Sequence, residues 1–214
     1  MARKMPVISI EGGDGTGKTT MLEKLKSYLD TKDIDFMVTR EPGGVRIAEL
    51  IRDVIHNPDH TEMDPKTEAL LYAAARRQHL VEKVVPAVKE GKLVIFDRYV
   101  DSSMIYQGYV RGLGVEAVYE MNRFATEDFM PDKTLLFDLD PAVGQERIHS
   151  SGVREVNRLD NEGMAFHMKV REGYLKLAKD HSKRIALIDA SKSMDEVFED
   201  VKTIIDDLLL EWEK

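Results

Sequence analysis

The chain has 214 residues, with 31 Lys plus Arg against 39 Asp plus Glu, a formal net charge of −8 at neutral pH. That balance argues against nonspecific binding to nucleic acid or to an anionic membrane, and the lack of cysteine excludes disulfides and thiolate metal sites. A content of 43% hydrophobic and 33% charged residues suits one sizeable α/β core, compatible with the reducing cytoplasm.

The N-terminal apolar run VISI is too short for a signal-peptide core, and no stretch approaches the roughly 20 apolar residues of a membrane span. The first predicted strand, Val7–Glu11 (VISIE), leads into Gly12-Gly13-Asp14-Gly15-Thr16-Gly17-Lys18-Thr19, a full match to G-x-x-x-x-G-K-[ST]. Glycines let backbone N–H groups converge on phosphate oxygens where a Cβ would obstruct the turn. The helix starting near Lys18 adds its dipole, Lys18 can reach the β- and γ-phosphates, and the Thr19 hydroxyl can ligate Mg²⁺. A glycine-rich turn without a ligand is the alternative; motif and context together favour a nucleoside triphosphate.

Past Thr19, apolar residues Met21, Leu22, Leu25 and Leu29 keep helical spacing. Phe36–Arg40 (FMVTR) reads as a second strand and Ile47–Ile55 as a helix. Lys66–Gly91 is one long helical pattern that Pro86 should kink or split. Leu93–Asp97 (LVIFD), Thr134–Asp138 (TLLFD) and Ile185–Asp189 (IALID) are further buried strands, and the stretch from Met194 to Trp212 is an amphipathic helix expected to pack on the sheet. Alternation of this kind predicts a doubly wound α/β fold with ligands at the carboxyl ends of parallel strands.

Four further groups carry chemistry. Asp97 ends a strand near the loop, as an acid holding Mg²⁺-bound water would, and Arg98 beside it can bind phosphate by its fork of donors. Asp138 and Asp140 are rivals for the acid's role, although Asp140-Pro141 also reads as a helix cap. The polar segment from His149 to Asp160 has the character of a lid. Its Arg154 and Arg158, four apart, could stabilise charge on a transferred phosphoryl group or simply be solvated. Tyr72 and Arg76 share a helix face, where a base could stack on the ring and bond the guanidinium; core packing is the alternative. The six histidines show no metal-ligand spacing.

Together TREPGG (Thr39–Gly44), TEALLYAAARRQHL (Thr67–Leu80) and DRYVDSSMIYQGYVRGLG (Asp97–Gly114) resemble the bacterial thymidylate kinase family, and the resemblance extends to Phe166–Ala178. It implies a P-loop nucleoside monophosphate kinase fold, a five-stranded parallel sheet flanked by helices with a mobile lid over about residues 149–163, in a single domain spanning 1–214. It also implies a cytoplasmic homodimer that makes dTDP from dTMP and ATP with Mg²⁺. Lys18 and Thr19 would hold ATP and the metal, with Asp97 as its second protein partner. Asp14 would approach the acceptor's 3′-hydroxyl, Glu41 shape the acceptor site, and Arg52 hold its phosphate. Tyr72, where the family usually has Phe, would stack on thymine, and Arg76 would bind the base edge. Arg98 would sit between the phosphates, Ser103 and Gln107 would contact the base, and Tyr106 would crowd the 2′ position. Some members carry an arginine where this chain has Gly15; the resemblance here is to those with catalytic arginines in the lid, Arg154 and Arg158. A kinase for dUMP or UMP, or a regulatory ATP-binding switch, are the alternative functions.

Overall fold

The computed structural model describes residues 4–151 and 162–212. Among these, five parallel strands form one sheet: β1 (Val7–Gly12), β2 (Phe36–Arg40), β3 (Leu93–Asp97), β4 (Lys133–Asp138) and β5 (Ile185–Asp189), in the order β2-β3-β1-β4-β5. Each predicted strand is present, to within one residue at either end.

The strands are apolar almost throughout because both faces are covered. On one face Val7, Val94, Phe96, Leu136 and Ile185 pack against Leu80, Val84, Val88, Tyr174 and Leu177. On the other, Ile8, Ile10, Leu93, Ile95, Leu135 and Phe137 meet Met21, Leu25 and Leu29 of α1 (Lys18–Thr31) and Val197, Val201 and Ile205 of α9 (Met194–Trp212). Each such buried aliphatic side chain contributes about 1.5–3 kcal/mol relative to exposure. Apart from buried pairs such as Ser9 with Thr134, 2.8 Å apart, the polar side chains of the strands lie near their ends.

The remaining helices are α2 (Arg46–His56), α3 (Pro65–His79), α4 (Val85–Glu90), α5 (Val100–Ser103), α6 (Val115–Thr126), α7 (Pro141–Ser151) and α8 (Met164–Asp180). Asp64 caps α3 by accepting from the backbone N–H groups of Lys66 and Thr67 at 2.9 and 3.1 Å, with Pro65 in the first turn. The long pattern through Pro86 neither breaks nor bends into a loop. A π-wound stretch, Leu80–Val84, takes up the change, and Pro86 falls in the first turn of α4, where its missing N–H costs no bond. A second π-wound stretch, Met104–Val110, follows α5 and carries Tyr106 and Gln107.

The loop between β1 and α1 is packed closely from behind by α7. A Cβ on Gly15 would lie 2.1 Å from the Gly144 carbonyl oxygen, and Gly15 has φ +74°. Reciprocally, a Cβ on Gly144 would lie 2.5 Å from the Asp14 carbonyl oxygen. Gly144 sits inside a helix, so its replacement tests packing without left-handed strain. Gly144→Ala should cost about 1–3 kcal/mol and displace the loop, read as a lower Tm together with a higher KM for the loop's nucleotide.

Candidate active site

The loop is held by its own lysine. Lys18 Nζ donates to the carbonyls of Gly13 at 2.6 Å and Gly12 at 3.2 Å, and to Thr16 Oγ1 at 3.4 Å. Gly12 and Gly13 thus serve as acceptors within the loop, while Asp14 to Thr19 line the cavity above it. Burial, and next the neighbouring Arg98 guanidinium, push the Lys18 ammonium down to about 8.

Arg98 joins the loop to the turn after β3. Its NH1 donates to the Gly12 carbonyl at 3.0 Å and its NH2 to Asp14 Oδ1 at 2.8 Å, and the guanidinium lies 5.5 Å from the Tyr106 ring centre. Burial raises Tyr106 to about 12, so it remains a neutral hydroxyl at any working pH. Asp97 accepts the Glu41 N–H on its backbone carbonyl at 3.1 Å, which ties the ends of β2 and β3 together.

All nine residues expected around an acceptor nucleotide line one cleft: Asp14, Glu41, Arg52, Tyr72, Arg76, Arg98, Ser103, Tyr106 and Gln107. Arg76 is 2% exposed. Its Nε donates to Glu41 Oε2 at 2.6 Å, NH1 to Ser103 Oγ at 3.2 Å and to Asn122 Oδ1, and NH2 to the Tyr99 carbonyl at 3.2 Å. Glu41 Oε1 pairs with His79 Nδ1 at 2.9 Å, and His79 Nε2 meets Thr39 Oγ1 at 2.7 Å. The arginine is thereby fixed by four partners while bordering the cleft. Arg52 donates to the Pro42 carbonyl at 3.2 Å, Tyr72 lies 3.3 Å from His56 Nε2 through its hydroxyl, and Gln107 donates to the buried Glu68 at 2.8 Å.

A second cavity runs from the loop over α1 to Arg147, Lys192 and Ser193. The two cavities share Asp14, Arg52, Asp97 and Arg98, so whatever occupies them meets at those side chains. Thr19 and Asp97 both line the second cavity. Asp138 and Asp140 do not: Arg171 grips Asp138 with bonds of 2.7 and 2.9 Å, and Asp140 accepts the Ala142 N–H at 2.8 Å at the start of α7. Arg154 and Arg158 lie outside the described residues.

Sequence reasoning passed over Arg147, which donates to the Ala190 carbonyl at 3.2 Å, and the Lys192-Ser193 turn. Both are reachable from the rule that ligands gather beyond the carboxyl ends of parallel strands, since that turn follows β5. It also passed over Asn122 and Glu11, whose partners are distant in sequence.

The family model described as Thymidylate kinase matches residues 10–201. A thymidylate kinase of Geobacillus sp. (strain WCH70) is 61% identical over 190 residues, covering 89% of this chain and 90% of the relative. One from Geobacillus thermodenitrificans is 60% identical over 198 residues, with 92% and 88% covered, and one from Clostridium novyi is 54% identical over 195, with 91% and 95% covered. The chain belongs to the thymidylate kinase family.

In this member of the thymidylate kinase family the oxygen donors at the junction suit a hard divalent cation. Thr19 offers a hydroxyl and Asp97 a carboxylate to which no donor is bonded among the described residues.

Lys18 gives the site a pH signature. Phosphate oxygens favour its charged form, so ligand binding raises a pKa that starts near 8. ATP binding should therefore take up protons above pH 8 and few at pH 7, and the KM for ATP should rise as pH passes through 8. Calorimetry at pH 8.5 in buffers of different ionisation enthalpy measures the uptake; identical heats in all buffers would contradict it.

Proposed function

We propose that the chain transfers the γ-phosphoryl group of ATP to the 5′-phosphate of dTMP, giving dTDP and ADP. The observation that carries this reading is the meeting of two cavities at Asp97 and Arg98, one floored by the glycine-rich loop and the other lined by the nine residues expected around an acceptor. A regulatory switch has no use for the second cavity. The identity of the relatives, from 54 to 61% over nine-tenths of the chain, favours dTMP over other pyrimidine monophosphates.

In this reading residues 1–214 act as one kinase unit. ATP lies with its phosphates along Asp14–Thr19 and its base toward Arg147 and Lys192. Thr19 and Asp97 would hold Mg²⁺, which would supply neutralising charge to the phosphates. The acceptor phosphate is already anionic at neutral pH, so no strong general base is required. One of its oxygens bonds to the γ-phosphorus as the bond to the β-phosphate oxygen breaks, and ADP leaves. Rate comes from alignment and charge stabilisation. Lys18 exchanges its loop carbonyls for phosphate oxygens, Arg98 bridges donor and acceptor, and Arg52 anchors the acceptor phosphate. Tyr72 stacks on thymine, Arg76 with Ser103 and Gln107 reads the base, and Tyr106 excludes a 2′-hydroxyl. Asp14 reaches the sugar, and Glu41 holds Arg76. Gly15 has no room for a side chain, which supports Arg154 and Arg158 as the further cations.

Consumption of ATP should depend on dTMP, with dUMP and UMP poorer acceptors. Lys18→Ala should abolish turnover, and Arg98→Ala should lower kcat by about 10²–10³-fold, with circular dichroism unchanged in both. ATP consumption indifferent to dTMP, or near-native turnover by Lys18→Ala, would sink the mechanism.

The working form in this reading is a homodimer in the cytoplasm, where its nucleotide substrates are. Support for the dimer lies in Phe124 of α6, 90% exposed, and Leu70 of α3, 59% exposed, which line one groove beside the outward Ile47, Leu50 and Val54 of α2. Phe124→Asp should turn a dimer into a monomer by light scattering; a native chain that scatters as a monomer would overturn the proposal.

A further inference from the structure

Arg98 is built on a conformation that an L-residue adopts reluctantly, with φ +65°. Such a residue persists only where its surroundings over-determine it. Both N–H groups flanking it are bound by consecutive residues of β1. The Arg98 N–H donates to the Ile10 carbonyl at 3.0 Å, and the Tyr99 N–H donates to the carboxylate of Glu11 at 2.7 Å. The other carboxylate oxygen accepts from Ser102 Oγ at 2.5 Å and from the Tyr174 hydroxyl at 2.9 Å. Ser102 Oγ in turn lies 3.4 Å from Arg98 NH1.

Glu11 is 0% exposed, lines neither cavity, and among the described residues forms no ion pair. A carboxylate in that position bears a burial cost that its three hydrogen bonds offset only in part. Burial first, and then Asp101, push it up to about 7, while Asp101 itself is neutralised by two bonds of 2.7 Å from Arg184. If Glu11 only filled space, an apolar residue would serve better. What an apolar residue could not do is accept the Tyr99 N–H and orient Ser102.

We propose that Glu11 is the positioning residue for Arg98, holding the turn after β3 in the conformation that delivers the guanidinium to the junction of the two cavities. The inference rests on the reading of Arg98 as the cation between the two nucleotides.

The test is a kinetic double-mutant cycle on the full chain with ATP and dTMP. Glu11→Met removes the acceptor and should lower kcat about 100-fold, with KM for both substrates within about threefold. Glu11→Gln keeps one carbonyl oxygen for Tyr99 and should recover half of this loss on a logarithmic scale, to about tenfold below native. In an Arg98→Ala background each substitution should change kcat by less than about twofold, because the group through which Glu11 acts is gone. Equal losses in both backgrounds would make Glu11 merely structural and overturn the inference, as would native kcat in Glu11→Met. Should Glu11→Met fail to fold by circular dichroism, the Glu11→Gln cycle decides alone. Near-native turnover by Arg98→Ala by itself would instead defeat the underlying reading of Arg98.

Discussion

Parallel pairing of β1 with β3 sets Ile10 opposite Asp97, and pairing of β3 with β2 sets Asp97 opposite Arg40. The three chains must therefore leave the sheet at one level and side by side. Because both faces of the sheet are buried, the polar groups of these strands can emerge only there. The shared Gly12 carbonyl, which accepts from both Lys18 and Arg98, is a direct consequence of that register. So is the bond from the Glu41 N–H to the Asp97 carbonyl. Slipping one strand by a single residue would turn its apolar side chains to the wrong face and separate these groups together.

The two cavities solve the problem of holding anions in an acidic chain by different means. On the acceptor side the cation is locked. Arg76 is bound by Glu41, Ser103, Asn122 and the Tyr99 carbonyl, and Glu41 is itself fixed by His79. Such an array tolerates a buried charge because nearly every donor and acceptor is matched, and removing one member would leave another unpaired. On the loop side Lys18 is bound, among the described residues, only by neutral oxygens of its own loop. Those are weaker partners than phosphate, which makes the lysine exchangeable. The two cations thus differ in how freely each can change partners: Arg76 is locked, and Lys18 is exchangeable.

The sheet and the loop were legible in the sequence because they depend on local signals: apolar runs of strand length and a fixed glycine spacing. Arg76 was half legible. Its spacing from Tyr72 put both on one helix face, but the partners that hold it come from the turns after β2 and β3 and from α5 and α6, and no local pattern encodes them. Glu11 was visible only as the acid at the end of a strand, since its meaning lies in Tyr99, Ser102 and Tyr174, up to 163 residues away. Gly144 gave no signal, because one glycine in a helix looks like a small loss of propensity rather than a contact. Helix winding was likewise hidden: the π-wound stretch before Pro86 leaves the apolar pattern nearly unchanged.

The close approach of Gly15 and Gly144 makes an absence in the sequence into a geometric statement. A side chain at Gly15 would need the volume that the backbone of α7 already fills, so an arginine cannot be accommodated in the loop without moving that helix. The same helix carries the chain directly into the segment containing Arg154 and Arg158. One helix therefore both fills the space beside Gly15 and precedes, in sequence, the segment that contains Arg154 and Arg158. Packing α7 against the loop denies Gly15 the volume of a side chain. A chain with an arginine in the loop would have to seat α7 farther away, and with it the Arg147 that borders the same cavity.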